Sequence, residues 1–557
     1  MKYSLILCLA LLGLGRVSYA KETTPALVVV VSVDQWRYEY IERFDKNLDA
    51  NGITRRVQQN GLLMDNCFHQ HAFTFTGPGH SVLMTGAYPN RSGIIDNNWF
   101  DRDANDLHYC VYDPDARIIG STAEEDPVSP RNLLVDTVGD QLKMATGRRG
   151  KVLGVAIKDR AAILMAGRLA DAAYWMSSDG KWVTTTHYQD KLPGYLRNLN
   201  EQRAPFRYEK MKWLRLHLPS QYTHGVEENS QHELPIEGMT TDFPHEMPAA
   251  DDEKYIKHLA CSPFGNDATF DAAREIVVHE SLGKDEFPDI LAINLSATDY
   301  VGHAFGPYSL EVEDMFYRTD VQLGNFAKFV DDQLDGRPWA MFLTADHGVA
   351  PIPERASEWG LRAKRNPFGK QDDNGNFKEP QEKLEGVLRN ALNVEQTTEQ
   401  RLVQAVVSNQ VFLHGDHPAL RGSNIELARR IVRDWLVNNS YVAHAATRDQ
   451  LVQDCSTNEM LHMMQRSFHA RRSGDVLYAL KPYTFSSTSG AQHGSPWRYD
   501  RHVPLMILPN GMKINVSSTP EQVSPASIAP TIARMLHIES PSACAERRLP
   551  VETQQPN

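Results

Sequence analysis

The chain has 557 residues, of which 41% are hydrophobic and 23% charged. That is enough apolar material for a large core and too much for one minimal domain, so one big domain carrying insertions is expected. The formal net charge of −12, with no block of Lys and Arg, excludes nucleic-acid or anionic-membrane binding by bulk electrostatics.

The N-terminus opens with Lys2, an apolar run over 5–14, and the small residue Ala20 after Ser18 and Tyr19. This is the pattern of a secretory signal peptide over residues 1–20, cleaved after about Ala20. The run is too short to span a bilayer as a stable helix; an uncleaved anchor is the alternative. The mature chain is expected in the periplasm or outside the cell. Cys8 falls inside the leader, leaving Cys67, Cys110, Cys261, Cys455 and Cys544. Five thiols allow at most two disulfides, and with no C-x-x-C among them a cysteine zinc cluster is excluded.

Residues 26–33 form an apolar, β-branched run that suits a strand buried on both faces, and it stops abruptly at Asp34. A helical pattern covers 132–144 and a strand pattern 151–157, directly before Lys158. Residues 191–252 are polar and aperiodic, and read as an insertion. A helix is predicted over 268–280, then a strand over 289–296 leading to Asp299. A helix over 312–334 precedes a strand over 339–344 that leads to Asp346 and His347. A second insertion covers 354–400, with a polar turn at Asp372, Asp373, Asn374 and Gly375. Both insertions suit active-site lids or solvated decoration. A helix over 425–437 and strands over 475–480 and 503–508 complete the pattern. Alternating strands and helices indicate an α/β fold whose central sheet is largely parallel and flanked by helices on both faces.

Three of these strands deliver a carboxylate just past the last apolar residue. One strand ending in Asp is usually a turn or a helix cap. Three of them, two with a nearby histidine, indicate a shared site beyond the carboxyl ends of the strands, where open α/β sheets bind ligands. Asp34, Asp299, His303, Asp346, His347 and His493 combine carboxylate oxygens with imidazole nitrogens, which suits zinc or another divalent transition metal. Asp299 and His303 are read as sharing one loop that Gly302 lets bend. Thr76 precedes Gly77, Pro78 and Gly79 at an apparent helix start, where free N–H groups favour an anion. Its hydroxyl could cap that helix or, with its pKa lowered by a metal, act as a nucleophile. The Asn97 amide can donate to a phosphoryl oxygen. Lys158 and Arg160 suit the remaining oxygens, or a solvated loop.

At VSVDQWR (31–37), TFTGPGH (74–80), SGIIDNNW (92–99), AIKDRAAIL (156–164), NLSATDYVGH (294–303), LTADHG (343–348) and QHGSPWRYDRHVPLMI (492–507) the sequence resembles the alkaline phosphatase superfamily. It looks closest to the exported bacterial monoesterases called PafA-type alkaline phosphatases, which are related to nucleotide pyrophosphatase/phosphodiesterases. The resemblance implies Thr76 as covalent nucleophile and two zinc ions per chain. Asp34, Asp346 and His347 would hold the zinc that activates Thr76. Asp299, His303 and His493 would hold the zinc that stabilises the leaving oxygen. Asn97, Lys158 and Arg160 would contact the phosphoryl group, the last two marking the monoesterase branch. The C-x-P-x-R motif of the sulfatase relatives is absent. The implied partners are small-molecule phosphate monoesters, with no nucleic acid, no membrane beyond export, and a monomeric chain. The alternative on the same scaffold is a phosphodiesterase or nucleotide pyrophosphatase.

Overall fold

A computed structural model describes residues 23–222, 232–372, 375–395, 400–453, 457–516 and 522–554. The leader read over 1–20, Cys455, and Asp373 and Asn374 of the polar turn lie outside the described residues.

The three strands that end in carboxylates form the middle of the main sheet. Its strands are β1 (Leu27–Val33), β2 (Leu62–Met64), β3 (Ile118–Ile119), β4 (Val152–Val155), β5 (Ala172–Met176), β6 (Trp182–Thr185), β7 (Asp289–Leu295), β8 (Trp339–Thr344) and β9 (Leu505–Asn510). They lie in the order β2-β9-β8-β1-β7-β4-β5-β6-β3. The five strands from β8 to β5 run parallel, and the chain turns antiparallel toward both edges. Every residue of β1, β7 and β8 is buried, which explains apolar runs without alternation. Helices flank the sheet in two groups. Leu310–Leu334 packs against Pro263–His279 and Ile53–Asn60, while Thr76–Thr85 packs against Asp159–Ala166 and Ile528–Met535.

Register places the site. Ser32 pairs with Asn294 on one side and Thr344 on the other, so β1, β7 and β8 finish level with one another. Asp34, Asp299 and Asp346 therefore emerge at one edge of the sheet. Asp299 and His303 are not on a loop: they lie one turn apart on the helix Ala297–Phe305, which begins straight after β7. The spacing of four residues stacks both side chains on one helix face.

The segment 191–252 contributes the helix Gly194–Glu201 and a short antiparallel pair, Lys212–Trp213 with His245–Glu246. It is tied to Leu310–Leu334 through Asp314, which accepts from Trp213 Nε1 at 2.6 Å, Leu216 N at 2.6 Å and the Tyr222 hydroxyl. The segment 354–400 carries the helix Lys378–Leu392. That helix and Asn424–Val437 pack on a second, four-stranded sheet (Val403–Val407, Gln410–Leu413, Val476–Leu480, Val442–Thr447) around Leu384, Leu388, Val406, Val432 and Val476. The strand predicted over 475–480 thus belongs to this lobe and not to the main sheet. Among the described residues Cys67, Cys110, Cys261 and Cys544 are free thiols, the first three buried. No helix among the described residues is long and apolar enough to cross a membrane.

Two glycines show what packing at the site edge demands. A Cβ on Gly79, in the helix Thr76–Thr85, would stand 2.4 Å from the backbone oxygen of Asp346, whereas one on Gly386, in Lys378–Leu392, meets nothing within 4 Å. Gly79→Ala is expected to cost about 1–3 kcal/mol through overpacking. Gly386→Ala should gain about 0.5–1 kcal/mol by raising helix propensity and restricting the unfolded chain. The midpoints of chemical unfolding measure both, and equal shifts would contradict the packing described.

Candidate active site

The three strand-end carboxylates and three histidines converge. The ligand atoms of Asp34, Asp346 and His347 lie within 4.8 Å of one another, as do those of Asp299, His347 and His493. His347 belongs to both groups, and its Nε2 stands 3.1 Å from Asp346 Oδ2 and 3.6 Å from Asp34 Oδ1. His303 Nε2 is 3.2 Å from Asp299 Oδ1, and His493 Nε2 is 3.7 Å from the same oxygen.

Each of the three imidazoles is oriented in the same way. Nδ1 of His303 faces Ala491 O at 2.7 Å, Nδ1 of His347 faces Gly348 O at 2.9 Å, and Nδ1 of His493 faces Thr74 O at 2.8 Å. A carbonyl only accepts, so Nδ1 carries a hydrogen and donates, which turns Nε2 toward the carboxylates. Buried carboxylate oxygens meanwhile lack hydrogen-bond donors, namely Asp34 Oδ1 and Asp346 Oδ2. Burial and then the neighbouring Asp346 push Asp34 up to about 7. Burial also acts to raise Asp299 and Asp346, but His303 and Lys158 on the former and His347 on the latter hold both well below the usual carboxylate range. Orphaned buried oxygens beside imidazole Nε2 atoms aimed at the same point are the environment a divalent cation satisfies, and the donor set of oxygen and nitrogen fits a transition metal such as zinc.

Thr76 is the first residue of its helix, one position past the cap residue Phe75, so its hydroxyl does not occupy the capping position. Its hydroxyl lies 3.4 Å from His347 Nε2 instead. The loop around it is held from both sides. Asn97 Oδ1 accepts from Gly77 N at 2.7 Å. His80 Nδ1 sits 2.8 Å from Thr76 O and 3.3 Å from Asp346 Oδ2, while Asn294 Nδ2 stands 2.8 Å from His80 Nε2. Burial lowers His80 to about 4, so the ring is neutral. Asn294 donates to Nε2, which leaves the hydrogen on Nδ1 to bond the Thr76 carbonyl.

Lys158 is 4% exposed and is therefore no solvated loop residue. Its ammonium pairs with Asp34 Oδ2 at 2.8 Å and Asp299 Oδ2 at 2.6 Å. Arg160 donates to the Tyr109 hydroxyl at 3.4 Å, and that hydroxyl donates to Asp159 Oδ1 at 2.6 Å. Arg160 Nε is buried without a hydrogen-bond partner. Two clefts open on the site. One of about 730 Å³ is lined by Lys158, Arg160, Tyr109, Trp175 and Tyr300, and one of about 300 Å³ by Phe75, Asn97, Gln492 and His493. All ten residues singled out in the sequence thus lie in or beside this region. Sequence reasoning missed Gln35, His80, Tyr109 and Asn294. Gln35, His80 and Asn294 lie inside the recognised motifs, but nothing in their spacing marks their contacts.

The arrangement matches known proteins. The family model for type I phosphodiesterase / nucleotide pyrophosphatase matches residues 28–398. The alkaline phosphatase PhoV of Synechococcus elongatus is 34% identical over 523 residues, covering 93% of this chain and 91% of its own. The alkaline phosphatase PafA of Elizabethkingia meningoseptica is 32% identical over 527 residues, covering 93% of this chain and 92% of its own. A crystal structure of wild-type PafA superposes with a TM-score of 0.84 at 29% identity, covering 94% of this chain and 98% of that one. Fold, strand-end carboxylates and these similarities agree: the chain belongs to the type I phosphodiesterase / nucleotide pyrophosphatase family and is a hydrolase of its alkaline phosphatase branch.

Proposed function

We propose that the protein is an exported phosphomonoesterase that uses two zinc ions and a covalent phosphothreonine to release inorganic phosphate. The observation that carries this is the placing of a helix-start hydroxyl, Thr76, beside His347, which belongs to both candidate metal groups. Asp34, Asp346 and His347 would hold one ion, and Asp299, His303 and His493 the other. Bound there, a pair of divalent cations supplies a lowered hydroxyl pKa and positive charge for the attacking and leaving oxygens.

The chain's own residues do the rest. Thr76 Oγ1 attacks phosphorus, forming an oxygen–phosphorus bond as the bond to the leaving alcohol breaks. Water then displaces Thr76 and releases phosphate. His80 and Asn97 hold the Thr76 loop so that the hydroxyl approaches from a fixed direction. Asn97, Lys158 and Arg160 would meet the remaining phosphoryl oxygens. Lys158 and Arg160 line the larger cleft together. Two cations beside two metal ions match a monoester dianion better than a diester monoanion, which is why monoesters are preferred over the diesters that the family description names.

Four measurements test this reading. An aryl phosphate should be hydrolysed with higher kcat/KM than the corresponding bis-aryl phosphate; a strong diester preference would overturn the substrate class. Lys158→Ala and Arg160→Ala should each lose about 10²–10³-fold in kcat on the monoester, with a smaller loss on the diester. Thr76→Ala should lose the phosphoenzyme trapped by acid quench, and full activity in that variant would end the covalent mechanism. Chelation should abolish turnover and lower the unfolding midpoint, since an ion at 100 times its Kd contributes about 2.7 kcal/mol to the folded state. Zinc should restore both better than magnesium, and recovery with magnesium alone would refute the ligand reading.

A further inference from the structure

Gln35 follows Asp34 at the site edge and has a backbone φ of 68°, the left-handed region that non-glycine residues avoid. Such a conformation is strained and persists where the surroundings over-determine it, commonly at functional sites. The surroundings here are specific. With the backbone turned this way, Gln35 N donates to Asp346 Oδ1 at 3.2 Å. The side-chain amide reaches the other way, Nε2 donating to Asp299 Oδ1 at 2.6 Å. Gln35 is 3% exposed, so neither bond competes with bulk water.

A second observation concerns Gly302. A Cβ there would fall 1.7 Å from Gln35 Oε1 and 2.8 Å from the amide carbon. Gly302 lies inside the helix Ala297–Phe305, where glycine is otherwise unfavourable. The absent side chain leaves the space that the Gln35 amide fills. It does not serve a loop bend.

We propose that Gln35 is a positioning residue that links the two candidate metal groups, holding Asp346 through its main chain and Asp299 through its amide, and that Gly302 admits that amide. The proposal rests on the metal reading above. Asp299 has two oxygens. Lys158 contacts Oδ2 and Gln35 contacts Oδ1, the oxygen that faces His303 and His493. With the amide gone, the carboxylate can turn about its own axis and the Asp299 group loses its fixed geometry. Loss of a hydrogen-bonded partner behind a metal ligand typically weakens affinity about 10–100-fold.

The test is zinc titration of the metal-stripped full chain against a chelating indicator, together with its metal-free unfolding midpoint. Gln35→Gly removes the amide and relaxes the left-handed backbone. It should leave the metal-free midpoint unchanged or raised, yet weaken one of two zinc ions about 10–100-fold. A merely structural role would lower the midpoint and leave zinc affinity alone. Gly302→Ala should displace the amide and reproduce the zinc loss, with no further loss when combined with Gln35→Gly. Undiminished zinc binding in Gln35→Gly, or a Gly302→Ala loss equal in both backgrounds, would overturn the proposal. A wild-type chain that takes up no zinc would instead overturn the metal reading, and this proposal with it.

Discussion

Asp34, Asp299 and Asp346 are at most 4% exposed and stand together at the end of the parallel sheet. Like charges in a low-dielectric interior repel strongly and lose their hydration, so such a cluster folds only if opposite charge and hydrogen-bond donors are delivered to it. Most of what is unusual in the molecule answers that demand. Lys158 bridges Asp34 and Asp299, the imidazoles of His303, His347 and His493 surround the carboxylates, and Gln35 donates to two of the three. Two carboxylate oxygens still lack a hydrogen-bond donor, which is where divalent cations would complete the balance.

The groups that would touch the substrate are tied to the same edge. His80 joins the carbonyl of Thr76 to Asp346, and Gly79 lets the helix carrying the hydroxyl press against the Asp346 backbone. On the far side, the hairpin strand Asn98–Asp101 pairs with Asp106–Tyr109, and Cys110 N bonds to Asn97 O. The hairpin thereby holds the Asn97 amide and the Tyr109 hydroxyl on one rigid piece, and Tyr109 in turn contacts Asp159 and Arg160. The proposed nucleophile and anion contacts are therefore placed by short hydrogen-bonded links and not by loops alone, which is what a fixed angle of attack requires.

Much of this was legible in the sequence for one physical reason. A strand buried on both faces must be apolar throughout, so the break from Val33 to Asp34, and from Thr344 to Asp346, is visible without any structure. The unread parts depend on tertiary choice. The run over 475–480 is as apolar as a main-sheet strand, yet it pairs in the second lobe, and Asp475 there is held by Arg102 at 2.9 Å and Arg429 at 3.0 Å. Asp299 and His303 share a helix because β7 runs directly into one, and the same two residues could equally have shared a loop. Gln35 was invisible because its partners lie more than 260 residues away and an uncharged amide carries no pattern of its own.

Lys158 connects metal chemistry to substrate preference within the proposed reaction. In the metal-free chain burial alone would lower its pKa, but Asp299 and Asp34 raise it above the usual lysine value, which keeps it an ammonium there. In the proposed reaction the oxygens that this ammonium faces change. Carboxylates neutralised by divalent cations hold an ammonium less strongly, and a phosphoryl dianion in the adjoining cleft then becomes its better partner. A diester carries one charge fewer on its phosphoryl group and competes less well for the same ammonium. Preference for monoesters in this reading follows from the exchange of partners at Lys158 as much as from the size or shape of the cleft.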